Sequence, residues 1–219
     1  VTTSARYYRG ESPEQRRAQR RAALLDAALD ALTSGGWERV TVRGVCAKAK
    51  LNDRYFHENF RDRDELLLAV LDEVTAECTR VVVEALEGTS QDVRLRVRAV
   101  VEAGIAFLEE DPRRGRLLVE SQATEVLRER RSATIRMLAT IAADQTRELL
   151  GDQAPPAQDA ELLGLTLVGG AFEVFTMWIR GDLPVTREHL ASFLVALLLT
   201  NTDLAAALDR ETQALGEVR

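Results

Sequence analysis

Residues 41–60 read TVRGVCAKAKLNDRYFHENF. Thr41 is a good helix cap, and Val42, Val45, Cys46 and Ala49 follow it at helical spacing. Asn52 can cap a second short helix, on which Phe56 and Phe60 stand four apart and point one way. Two short helices about four residues apart have the dimensions of a helix-turn-helix, whose second helix fits the width of a DNA major groove. The outward face of that second helix would carry Asn52, Arg54, Tyr55, His57 and Glu58. Arginine can pair with guanine, asparagine with adenine, and tyrosine and histidine can reach phosphate oxygens.

Helical spacing continues on both sides. Upstream, Glu11-Ser12-Pro13-Glu14 reads as a helix start with proline at its first position, and Leu25, Ala28, Leu29 and Leu32 form an apolar stripe. Gly35-Gly36 ends it. Downstream, Asp62 caps a long segment through Leu66, Leu67, Val70, Leu71 and Val74 to about Leu86. Further helices are expected over Gln91 to Glu110, Arg113 to Ser121, Thr124 to Leu150, Ala157 to Arg180, and from Thr186 to about Leu199. The clearest loop, 151–157, contains Pro155-Pro156. No period of 20–50 residues repeats, which argues against a solenoid.

Composition agrees with an all-helical chain. Of 219 residues, only 13 are glycine and 5 proline, and aromatics make up 5%, leaving few strand formers and few breaks. The two cysteines, Cys46 and Cys78, supply no disulfide framework and no CxxC pair, as expected of a reduced, cytoplasmic protein. Leu162 to Ile179 is apolar enough to require a membrane check, with Glu173 its single charge. An Ala- and Gly-rich interior helix has the same composition, and no membrane partner is expected. Residues 1–63 carry a net charge of +5 and residues 64–219 a net of −11. That division suits a basic module that meets a polyanion, joined to a body that does not.

The stretch from Arg20 to Val70 resembles the N-terminal module of the TetR family of transcriptional repressors. The resemblance rests on Leu24-Leu25-Asp26-Ala27-Ala28, Gly36-Trp37, Val40-Thr41-Val42-Arg43, Arg54-Tyr55-Phe56, Asn59-Phe60 and Arg63-Asp64-Glu65-Leu66-Leu67. It implies an N-terminal three-helix DNA-binding domain and a C-terminal helical domain for ligand binding and dimerisation. The corresponding division is a basic arm at 1–13, a DNA-binding domain at 14–63, a regulatory and dimerisation domain at 64–205, and a polar tail at 206–219. Thr41 and Arg43 then match positions that touch the DNA backbone, and Asn52, Arg54 and Tyr55 those nearest the bases. His57 and Arg63 match phosphate contacts, with the helix start at Arg63 offering N–H groups and a positive dipole. Lys48 joins this DNA-facing set. The chain departs from the family at Lys50, where the turn usually has glycine, and at Cys46, where alanine is usual and a buried packing role is expected. The basic arm, Arg6-Tyr7-Tyr8-Arg9 followed by Arg16, Arg17, Arg20 and Arg21, could track the minor groove.

The resemblance further implies a homodimer through the last two long helices, bound to palindromic operator DNA and released by a small apolar effector. Candidate lining residues are Phe107, Met137, Phe172, Phe175, Met177 and Trp178, with Glu173 as a polar handle. On so apolar a helix Glu173 must be solvated, paired or neutral, and Arg180 or His189 are candidate partners. No HExxH, GK[ST] phosphate loop or GxSxG elbow is present, so neither catalysis, a metal nor a cofactor is expected. The other reading is a helical homodimeric sensor or interaction module without sequence-specific DNA binding, for which Lys50 and Asp53 speak.

Overall fold

The computed structural model describes residues 12–151 and 154–200, with 207 and 210. The arm residues 1–11, including Arg6 and Arg9, lie outside the described residues, as does nearly all of the expected tail. Among the described residues every regular element is helical. Ser12 caps α1 (Pro13–Gly35) in a reciprocal box with Gln15, and Gly36 ends it at φ +74°, a left-handed value that glycine adopts without strain. A 3₁₀ turn, Trp37–Arg39, leads to α2 (Val42–Ala49) and α3 (Asp53–His57). Next come α4 (Arg63–Glu87), α5 (Val93–Glu110), α6 (Pro112–Glu120), α7 (Glu125–Leu150), α8 (Ala157–Arg180) and α9 (Arg187–Thr200). The bounds read from spacing agree to within a few residues.

Two compact units form. The first joins Val1–Ala76 with Asp111–Arg130, the second Glu77–Glu110 with Arg131–Arg219. Compactness therefore divides the chain differently from the linear reading of 14–63 and 64–205. The first unit also takes the start of α4, all of α6 and the start of α7. Its core explains why: Leu117 and Leu127 are buried in the same cluster as Leu24, Leu32, Val45, Phe56, Phe60 and Leu66. Cys46 is buried there too, in the packing role expected of it.

In the second unit, α5 and α9 share a core of Val101, Ile105, Leu190, Ala191, Leu194 and Val195, against which Phe175 and Trp178 of α8 pack. The Trp178 indole N–H donates to the Val185 carbonyl at 3.2 Å, tying down the α8–α9 connection. Helices α7 and α8 run antiparallel, with contacts that pair Ala139 with Gly164, Ile135 with Gly169, and Arg131 with Glu173. The first contact is backbone-close: a Cβ on Gly164 would stand 2.7 Å from the Ala139 carbonyl oxygen. Glycine is thus required for the spacing of these helices rather than for a turn. Replacing Gly164 with alanine raises helix propensity by about 1 kcal/mol, yet forces two backbones apart. We expect Gly164→Ala to lower stability by about 1–2 kcal/mol net, read as a reduced denaturation midpoint in urea.

Candidate nucleic-acid interface

The start of α2 combines a hydroxyl cap with a first turn free of acids. The Thr41 hydroxyl accepts from the Gly44 backbone N–H at 3.1 Å, and no acidic residue stands in the first turn. The remaining first-turn amides and the positive helix end are therefore not neutralised locally. Thr41 and Arg43 are both exposed there, which is what the expected phosphate contacts would need. Helix α2 closes on Lys50 at φ 55°, ψ 39°. The turn does keep its left-handed residue, at a cost to lysine on the order of 1 kcal/mol.

On α3, the Asn52 side-chain oxygen accepts from the Tyr55 backbone N–H at 3.2 Å. With the oxygen engaged in the cap, the side-chain amide NH₂ remains to donate, and two-point pairing with adenine requires the cap to open. Arg54 is the most open of the expected base readers, with its side chain 83% exposed. Its Nε lies 3.1 Å from a Glu58 carboxylate oxygen, which holds the guanidinium along the helix. Tyr55 is half-buried, its ring covered by the Arg20 guanidinium at 4.5 Å. His57 is exposed and meets the Phe56 ring edge-on.

Three arginines assigned to a minor-groove arm do something else. Arg17 donates to the Glu58 carbonyl at 2.8 Å, Arg20 covers Tyr55, and Arg21 lies over Phe60 at 4.6 Å. They stand on one face of α1 at i, i+3 and i+4 and brace the recognition helix. That spacing was the available signal for a helical role, since an extended arm has no reason to keep it.

The α4 start also differs from expectation. Asp62 accepts from the Glu65 N–H at 2.8 Å, and Glu65 accepts from the Arg61 N–H at 2.7 Å. The Arg61 backbone N–H, with its guanidinium, holds the Glu65 carboxyl below the usual carboxylate range. With Asp62, Asp64 and Glu65 on its first turn, this helix end is already neutralised and is a poor phosphate site. Arg63 itself stacks on Trp37 at 4.6 Å and pairs with Asp64 at 3.5 Å. Lys48 is half-exposed, with its amine 2.7 Å from Asp30.

The expected ligand residues are divided between core and surface. Phe107 is buried, whereas Phe175 and Trp178 belong to the core against α5 and α9. Met137 and Met177 are exposed. Glu173 pairs with Arg131 of α7 at 2.7 Å, not with Arg180 or His189, and the same guanidinium lies over Phe172 at 5.5 Å. Arg180 instead pairs with Asp182 at 3.1 Å. Among the described residues no cluster of histidine, cysteine or acids could hold a metal.

Residues 24–70 match the family model for bacterial regulatory proteins of the tetR family. The chain is 27% identical over 173 residues to the HTH-type transcriptional activator FasR of Mycolicibacterium smegmatis, which covers 78% of each protein. Its fold resembles a TetR-like transcriptional regulator from Rhodococcus sp. RHA1, with a TM-score of 0.62, 21% identity, and 81% and 92% of the two chains covered. It also resembles the transcriptional regulator FadR from Bacillus subtilis, solved with stearoyl-CoA, with a TM-score of 0.68, 16% identity, and 81% and 96% covered. The matched module spans the helix-turn-helix just described, so residues 24–70 are similar to the N-terminal module of bacterial regulatory proteins of the tetR family, and the fold of the chain is one shared with TetR-like regulators.

Proposed function

We propose that two copies of this chain bind a palindromic operator, with α3 of each in successive major grooves and the α2 start clamped on the backbone. The observation that carries this reading is the pairing of an acid-free α2 start with an exposed Arg54 on a braced α3. The protein is then a cytoplasmic, non-enzymatic repressor. The activator among its relatives has no need of a different DNA-binding geometry, because the sign of regulation follows from where the operator lies relative to the promoter. Arg54→Ala is expected to cost about 1–3 kcal/mol of operator affinity and relax the preference at one base pair per half-site. Selection from random duplexes followed by competition binding measures both; retained preference would remove Arg54 from base reading.

Dimerisation is supported by the outer faces of the last two long helices. Leu162, Thr166, Gly170, Glu173 and Met177 form one exposed stripe on α8, and Phe193, Leu197 and Thr200 one on α9. Leu162 is 57% and Phe193 53% exposed. Helix α8 is long and apolar enough to cross a membrane, and few of its residues are buried within the described structure. A second copy covering that face accounts for the hydropathy without a bilayer. The pair Leu162→Asp with Phe193→Asp is expected to sediment as a monomer and lose operator binding, because half-sites about 34–36 Å apart need two joined readers. A dimeric variant would place the interface elsewhere.

The effector is proposed to be a small apolar molecule with a long acyl chain, held inside the second unit beside Phe107. The relative solved with stearoyl-CoA supports that class. So does Gly104 on α5: it is half-buried, and a Cβ there would meet nothing within 4 Å among the described residues. A helical glycine costs about 1 kcal/mol, and here it leaves open space between the buried Val101 and Phe107. Stearoyl-CoA is expected to raise the melting temperature and release the operator, and Gly104→Phe to abolish both effects with DNA binding intact. An unchanged response in that variant would move the ligand away from α5.

A further inference from the structure

Asp30, in the last turns of α1, holds two cations at once. One carboxylate oxygen lies 2.7 Å from the Lys48 amine on α2, and the other 2.6 Å from the Arg113 guanidinium on α6. Arg113 is held in addition by Asp111, the cap of α6, at 2.7 Å and by Asp26 at 2.8 Å. Three acids and two bases thus form one chain of contacts across three helices of the first unit. Hydrogen bonds from Lys48 and then Arg113 hold the Asp30 carboxyl below its usual range. Arg113 does the same for Asp111, and its own guanidinium is pushed further up.

Lys48 stands four residues after Gly44 and seven after Thr41, which puts it on their face of α2 within about 40°. We infer that Asp30 is a shared carboxylate through which Arg113 sets how firmly Lys48 is withheld from DNA. The inference rests on the reading of α2 as DNA-facing. A carboxylate divided between two mutually repelling cations binds each less tightly than it would bind one alone. With Arg113 in place, the half-exposed Lys48 exchanges Asp30 for a phosphate oxygen and leaves no unpaired acid behind. With Arg113 displaced, Lys48 is the main counter-ion of Asp30 and must strand it to reach DNA. Arg113 stands three residues past the point where the chain re-enters the first unit, between Glu110 and Asp111. A shift of the chain at that crossing therefore bears on this ion cluster before anything else in α6.

The test compares Asp30→Asn, Arg113→Gln and Asp26→Asn in the full chain, alone and combined with Lys48→Ala. Asp26→Asn is the control: it removes the same charge and a partner of the same arginine but does not touch Lys48. The DNA readout is affinity for a non-specific duplex at fixed salt. Asp30→Asn is expected to tighten binding roughly three- to ten-fold, Arg113→Gln to weaken it, and Asp26→Asn to change it less than about twofold. With Lys48→Ala the Asp30→Asn effect falls to the control level. Without DNA, acylation of Lys48 by an amine reagent, followed by mass spectrometry, is expected to be faster in Asp30→Asn and slower in Arg113→Gln than in the native chain. Acylation rates that move the same way in both variants, or equal DNA effects of Asp30→Asn and Asp26→Asn, overturn the shared carboxylate. Unchanged duplex affinity of Lys48→Ala alone, with the acylation pattern as expected, instead removes Lys48 from the DNA face and ends the DNA part of the inference. If Arg113→Gln fails to fold, the Asp30→Asn and Asp26→Asn pair decides alone.

Discussion

A five-residue helix has no stability of its own, because nucleation costs more than one turn of hydrogen bonds returns. Helix α3 exists because Phe56 and Phe60 are buried against Leu24, Leu32, Val45 and Leu66. At about 1.5–3 kcal/mol per buried phenylalanine, those two anchors outweigh anything the exposed face contributes. That leaves Arg54 and His57 free of any packing duty. The Asn52 cap and the α1 arginines then set its direction: Arg17 holds the carbonyl at its C-terminal end and Arg20 covers Tyr55. A reader so short is rigid only through its neighbours, so changes in α1 bear on DNA binding as directly as changes in α3.

The chain passes between its two compact units after Ala76, Glu110 and Arg130. Each crossing begins or ends at an ion pair inside the first unit. Asp72 on α4 holds Arg130 on α7, and Asp111 holds Arg113, which reaches Asp26 and Asp30 on α1. Exposed pairs of this kind contribute little to stability one at a time. Their value here is positional: they fix the ends of three chain segments relative to α1 and α4, whose apolar faces are already locked in the core. Charge is the suitable material for such joints, since an ion pair can be exchanged for another without opening a cavity, whereas a buried leucine cannot.

Most of the helical framework was legible because its signals are local. Ser12, Thr41, Asn52 and Asp62 each cap a helix through their own side chain, and Gly36 and Gly181 end helices in left-handed conformations. The partners of charged groups were not legible, since they depend on which helices meet. Glu173 pairs with Arg131, forty-two residues away, and not with the nearby Arg180. Similarly, Arg17, Arg20 and Arg21 read as part of a basic arm because their net charge is visible in the chain, while the groups that claim that charge on α3 and in the turn after it are not. The same blindness extended to the domain boundary. Leu117 and Leu127 carry no mark of which core they enter, and they enter the first.

Helix α8 shows how far composition can be taken. Its hydropathy fits a membrane span, a buried core helix and a helix that meets a second copy equally well, because all three remove apolar surface from water. Geometry bears on the choice. One side of α8 is committed to Ala139 and Ile135 of α7 through Gly164 and Gly169, and another to the α5–α9 core through Phe175 and Trp178. A bilayer-spanning helix would need its whole circumference for lipid or for other spanning helices, and α5, with Arg94, Arg96 and Arg98 in its first two turns, is not one. What stays open is a single stripe from Leu162 to Met177 interrupted by Thr166 and Glu173. Polar groups at that spacing are tolerated at a protein interface, where each can be paired or left at the rim, and are costly in hydrocarbon. In the proposed dimer the apolarity of α8 is that of an interface helix, and Glu173, already paired with Arg131, is accommodated in its exposed stripe.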